Sequence, residues 1–147
     1  MTKPILLGKA DGEVWNVLGE TIVCKVRGAD TFGRFAVVEE TTPAGGVIPT
    51  HFHNRTDEII YVLEGEYEVV CDGQKSVAQT GSMLVIPRGT THSLQNRQTC
   101  PSKMLAIITP SGFENFFAEL SRLNRAADAQ EIAEIGKRND LTVVSGR

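Results

Sequence analysis

All three histidines of this 147-residue chain fall between Gly45 and Asn96, and each stands at a position where it could do chemistry. His51 and His53 are two residues apart, so on an extended strand both imidazoles share one face, whereas a helix would splay them. Glu58 stands at the mouth of the apolar run Glu58-Ile59-Ile60-Tyr61-Val62-Leu63, and His92 follows the turn Pro87-Arg88-Gly89-Thr90-Thr91. Three imidazoles and one carboxylate make a mononuclear metal shell. Imidazole suits iron, nickel, copper and zinc, and the carboxylate oxygen makes manganese reasonable as well. An ion that prefers six ligands would keep two positions for substrate, oxygen or water. A structural zinc would instead be closed by four ligands, and the paired-Cys spacing usual for such sites is missing from this sequence.

The elements that must position these groups are strands. The run from Glu58 is rich in β-branched and aromatic residues and reads as a buried strand, ended by the turn signal Glu64-Gly65. Met83-Leu84-Val85-Ile86 is a second short apolar strand, and Thr91 to Asn96 a third. Glu66-Tyr67-Glu68-Val69-Val70-Cys71 alternates up to the hairpin signal Asp72-Gly73, which places Tyr67 and Val69 on one, interior, face. Tyr67 is a candidate to touch substrate or water near the metal, with plain packing as the other reading. Earlier, residues 13–18, 21–27 and 34–41 alternate in strand fashion around the loop Gly28–Gly33, and 104–109 closes the series. Strands at this density, broken by Gly-rich turns, read as a sandwich or barrel.

The spacing of Gly45, His51, His53, Glu58 and Gly65, followed by Gly81, Pro87, Gly89, His92 and Asn96, resembles both signature motifs of the cupin superfamily at every defining position. That resemblance implies a mainly β fold, a cupin-type antiparallel β-barrel or jelly roll, with His51, His53, Glu58 and His92 as metal ligands inside it. Gly65, Gly81, Pro87 and Gly89 then serve the turns that aim the ligands, and Asn96 supports either the ligands or a turn. Further likeness in Asp30-Thr31-Phe32-Gly33, in Glu39 to Gly46 and in Thr109 to Phe117 is to small single-domain cupins similar to quercetin dioxygenase. On this reading residues 1–147 form one cupin domain, with the barrel core at about 13–109 and a helical region at about 111–139.

After Thr109 the period changes. Phe113, Phe116, Phe117, Leu120 and Leu123 fall on one helical face, with Ser111 and Glu114 spaced as a capping box. This stripe is expected to pack on the outside of the barrel or against a partner subunit; a lid over the mouth is the alternative. Residues 128–138 read as a second helix with Ile132 and Ile135 as its contacts, and 141–144 as an edge strand. Trp15, the one tryptophan, reads as core.

Composition narrows the partners. A net charge of −3 with acids and bases mixed along the chain offers no footprint for nucleic acid or an anionic membrane. No apolar run approaches the ~20 residues of a spanning helix, and the start of the chain does not read as a secretory signal. A cytoplasmic protein is expected, with Cys24, Cys71 and Cys100 as reduced thiols that behave mainly as small buried hydrophobes. The family likeness implies a homodimer.

Three functions fit. The first is a dioxygenase that binds a hydroxylated or enolic small molecule, aromatic ones included, and adds O2 to it, using one divalent ion of iron, manganese, nickel, cobalt or zinc. The resemblance to quercetin dioxygenase assigns Glu58 a double role, as ligand and as the catalytic acceptor of the substrate hydroxyl proton. No imidazole is left over as a separate base. The second is a sugar or keto-sugar isomerase with the ion as Lewis acid, weakened by the absence of a free His and of a clustered basic pocket among Lys75, Arg88 and Arg97. The third is a non-catalytic module that binds a metabolite or metal. Residues Phe35, Val37, Ile60, Val62, Tyr67, Val85 and Leu94 are expected to face inward and shape the pocket.

Overall fold

The computed structural model describes residues 3–144. Its strands are β1 (Glu13–Val17), β2 (Glu20–Val26), β3 (Ala36–Thr42), β4 (Val47–Phe52), β5 (Asp57–Glu64), β6 (Glu66–Cys71), β7 (Gln74–Gln79), β8 (Met83–Ile86), β9 (His92–Gln95) and β10 (Ser102–Thr109). Helices α1 (Glu114–Arg122) and α2 (Ala129–Arg138) follow, and then a two-residue strand, β11 (Thr142–Val143). Strand pairing is antiparallel throughout, in a six-stranded sheet of order β1-β2-β3-β10-β5-β8 and a five-stranded sheet of order β11-β4-β9-β6-β7. This is the expected jelly-roll architecture with its helices at the C-terminal end.

The expected barrel is not closed by hydrogen bonds. The chain crosses from one sheet to the other at Pro43–Gly46 and at Gly65, and these corners interrupt the ladders. Gly65 sits at φ +70°, and a Cβ there would run into the Ser102 side chain, so the corner requires glycine. The two walls therefore meet through side chains, as in a sandwich.

Each sheet buries one face, which corrects two expectations. The apolar run in β5 is not buried on both sides: Glu58, Ile60 and Val62 point in, while Tyr61 is 38% exposed on the outer face. Val37 and Val85, expected inside, lie outside, because the register sets Val85 opposite Ile59 and Val37 opposite Ile107 on the outward rows. Val85 is 67% exposed, and its neighbours Leu84 and Ile86 are the ones that turn inward. Phe35, just ahead of β3, is half-buried. Ile60, Val62, Tyr67, Val69 and Leu94 do face the interior, together with Ala36, Val38, Met104, Ala106 and Ile108.

The aromatic stripe is buried against the chain itself. Phe113, Phe116, Phe117 and Leu120 are covered, and α1 packs on β1 and α2. Ser111 does not cap α1. The N-cap is Phe113, and the Glu114 carboxylate accepts instead from the backbone N–H groups of Gly112 and Gly28, tying the helix start to the 3-10 turn at Gly28–Thr31. α2 has a complete capping box between Asp128 and Glu131. Trp15 is core, as expected. Of the cysteines only Cys24 is buried; Cys71 is half-buried and Cys100 exposed. Among the described residues no helix is long and apolar enough to cross a membrane.

Candidate metal centre

His51 and His92 are direct cross-strand neighbours on β4 and β9, with ring centroids 4.2 Å apart. His53 lies just beyond β4, where the extended backbone keeps it on the same face as His51. Glu58, the second residue of β5, arrives from the opposite sheet. All four are buried, and the three histidines present ligand atoms within 4.8 Å of one another. The Glu58 carboxylate lies 3.6 Å from His53 Nε2 and 3.7 Å from His92 Nε2. Those gaps are too long for hydrogen bonds, yet they fall inside the ~4.2 Å that can separate two donors on one ion at ~2.1 Å.

Each ring is oriented from behind. Nδ1 of His51 faces the Pro49 carbonyl at 2.7 Å, that of His53 the Asp140 carbonyl at 2.8 Å, and that of His92 the Thr90 carbonyl at 2.9 Å. A carbonyl only accepts, so each neutral ring carries its proton on Nδ1 and turns the Nε2 lone pair inward. Nε2 of His53 and of His92 are buried with no hydrogen-bond partner. Buried polar atoms are rarely left this way, and two of them converging on a carboxylate is what a metal site requires of its donors. The residues present thus fit a bound transition metal ion, and the three histidines could hold one.

The electrostatics of Glu58 and His51 agree, while those of His92 favour its proton until an ion displaces it. Burial acts to raise the Glu58 pKa, but the imidazoles of His92, His53 and His51 outweigh it and hold it at about 2, so the group is a carboxylate. Burial, together with His92 and His53, pushes His51 down to about 4, leaving it neutral and able to ligate. His92 is also discouraged from charging by burial, but Glu58 and the Thr90 carbonyl raise it above its usual value.

The second motif supports the first. The Gly89 N–H donates to the His53 carbonyl at 2.6 Å, and Gly89 has φ +82°. Arg88, in the turn before His92, makes a two-pronged pair with Asp57 at 2.9 and 3.1 Å, next to Glu58. Asn96 belongs to turn chemistry: its amide donates to the carbonyls of Thr42, Pro43 and Cys100, away from the histidines. Tyr67 donates to the Ser102 carbonyl and meets the Thr42 hydroxyl, which in turn donates to Glu20.

Two contacts of the centre had no signal in the local pattern. Phe113, assigned only to a helix stripe, lays its ring 4.3 Å from that of His53. Asp140 supplies the carbonyl behind His53 from 87 residues away. Phe113 and Asp140 also line a cleft of about 290 Å³ that includes Arg55, Asn115 and Arg138.

Comparison with known proteins agrees with this geometry. Residues 38–108 match the family model described as Cupin domain. Quercetin 2,3-dioxygenase of Bacillus subtilis (strain 168) is 37% identical over 93 residues, covering 62% of this chain and 27% of that protein. Germin-like protein subfamily 2 member 2 of Arabidopsis thaliana is 32% identical over 111 residues, covering 72% of this chain and 49% of that protein. The match thus spans half or less of these two relatives. A polyketide cyclase of Streptomyces resistomycificus shares the fold, with TM-score 0.64 and 24% identity over 76% of this chain and 81% of that one. Proteins of this fold are often enzymes, with chemistries as different as oxygenation and cyclisation. With both motifs in place, the histidines gathered between two facing sheets and the family model across the central strands, the chain belongs to the cupin superfamily.

Proposed function

We propose that this chain is a metal-dependent enzyme acting on a small molecule, a dioxygenase of the quercetin dioxygenase-like type whose substrate is hydroxylated or enolic. His51, His53, Glu58 and His92 are the ligands in this reading. The observation that carries it is the pair of buried, unpartnered Nε2 atoms facing an ionised Glu58. One divalent ion of iron, manganese, nickel, cobalt or zinc would lower the pKa of a substrate hydroxyl and hold both reactants at one point. Glu58 does the proton chemistry: its carboxylate, kept ionised, accepts the proton of a substrate hydroxyl within reach, and the ion, when bound, would stabilise the negative charge left on that oxygen. Ile60 and Leu94, buried and one step along the same inward rows from Glu58 and His92, give the inner side of the site an apolar boundary.

The test begins with elemental analysis of protein purified without added metal, beside Glu58→Ala. Oxygen uptake with a panel of flavonols follows, after loading iron, manganese, nickel or cobalt. About one metal per chain in the parent, much less in the variant, and uptake that depends on the metal would support the reading. Metal without uptake would favour isomerisation or another substrate, and no metal after reloading would leave a binding module.

A further inference from the structure

We infer that the C-terminal segment Asp140–Val144 is a positioning strap for the metal centre, with Asp140 as its positioning residue, so that metal binding and docking of this segment reinforce each other. The inference rests on the metal site proposed above. It starts from the end of α2, where the N–H groups of Asn139 and Leu141 both bond to the Gly136 carbonyl and Leu141 is buried. A Cβ on Gly136 would stand 2.8 Å from the Leu141 carbonyl oxygen, so the tight exit depends on glycine. Between these anchors Asp140 takes the left-handed conformation, φ +60°, which an aspartate tolerates better than most residues.

That conformation sends the two polar ends of Asp140 to different targets. Its carbonyl accepts from His53 Nδ1. Its carboxylate, 7% exposed, accepts from the backbone N–H groups of Asn54 and Arg55 at 2.9 and 3.0 Å and from the Thr56 hydroxyl at 2.7 Å. The Arg55 guanidinium stays 3.9 Å away, so the charge is met mainly by the backbone of the loop that follows His53. Beyond Asp140, Thr142 and Val143 pair with Phe52 and His51, and the Val144 N–H donates to the Thr50 carbonyl. Residues 140–144 thus cover the outer edge of the stretch from Thr50 to Thr56 that carries two of the three histidines.

A hydrogen bond behind a ligating histidine fixes ring tautomer and direction, and outer partners of this kind are typically worth about 10–100-fold in metal affinity. If the strap holds the ligands in their binding geometry, the ion in turn holds the strap, because coupling between two binding events is reciprocal. A role confined to folding would lower stability without changing the affinity of the folded protein.

The experiment uses the full chain and cobalt or nickel as the probe. Metal-free parent, Asp140→Asn and Asp140→Gly are titrated by calorimetry, and amide hydrogen exchange is followed with and without the ion. Glycine accepts the left-handed backbone and keeps the carbonyl but loses the carboxylate; asparagine keeps one acceptor oxygen. The expected results are a loss of affinity of about 10–100-fold for Asp140→Gly, a smaller loss for Asp140→Asn, and slower exchange of the Asn54, Arg55 and Val144 amides when the ion binds to the parent. Folded variants with unchanged affinity, or exchange at those amides that ignores the ion, would overturn the inference while leaving the metal site standing. A parent that binds no metal would remove both. Should Asp140→Gly fail to fold, the asparagine variant and the exchange of the parent decide.

Discussion

Two of the groups of buried polar side chains among the described residues lie at opposite ends of the sandwich, and they are built on opposite terms. At the end where β2 begins and β3 finishes, Glu20, Thr42 and Tyr67 are joined in a chain of hydrogen bonds that ends on the Ser102 backbone carbonyl. At the other, His51, His53 and His92 are braced from behind while the Nε2 atoms of His53 and His92 face inward with no partner. The carboxylates differ in the same way. Burial raises Glu20 to about 7, and burial with the charges of Glu58 and Glu20 raises Glu40 well above the usual carboxylate range. Glu58, equally buried, is kept ionised by three imidazoles. Burial alone therefore does not mark a working group. What separates a site from a structural network is whether its donors are left converging on one point.

The contrast can be broken most sharply at the histidine end. Replacing His92 or Glu58 by alanine is expected to weaken binding of cobalt or nickel by more than the ~100-fold upper range for outer partners, read by titration of the folded variant. Unchanged affinity in either would mean the four groups do not act as one donor set. Next in size is Phe113→Ala. It removes a buried ring from both the α1 stripe and the His53 face and should cost about 3–5 kcal/mol in urea unfolding. A loss below about 1 kcal/mol would show that the helix, rather than this ring, covers the centre.

The structural end should answer to pH. Glu20 has an unfolded value near 4.5 and a folded value of about 7, so the folded state holds its proton longer. Stability from this group is greatest below about pH 4.5 and falls as pH rises to about 7, by up to about 3 kcal/mol before solvent screening is allowed for. Glu20→Gln should flatten that slope in unfolding curves taken across the window, and an unchanged slope would assign it elsewhere. The smallest effect is expected from Tyr67→Phe, which loses the hydroxyl contacts to Thr42 and Ser102 and should cost about 1 kcal/mol. Metal affinity in that variant should stay as in the parent; a drop would mean that the two ends communicate.

Much of this centre is legible in the sequence because its parts are local. The two-residue step from His51 to His53, the approach to Glu58 and the turn before His92 are short-range features, and each corresponds to a strand or turn found in the fold. Tyr67 and Val69 share the interior for the same reason. Val37 and Val85 show the limit of that logic. A period of two says which residues share a face, but the sheet pairing decides which face is inside. Ser111 and Glu114 had cap spacing, yet the Glu114 carboxylate went to Gly28, a competitor brought in from 86 residues away.

By itself, then, the sequence determined the kind of protein this is: β-strands with period-two faces, two motifs that define a cupin, and three imidazoles with a carboxylate able to meet. Those properties follow from residue type and near-neighbour spacing, which act before the chain is folded. Only the tertiary structure decided that the walls stay two sheets, that Phe113 rests on His53, that the Nε2 atoms of His53 and His92 are left unpartnered, and that the Asp140 carbonyl stands behind His53. Such contacts join residues tens of positions apart and depend on which surfaces come together on folding, so no short stretch of chain carries their signature.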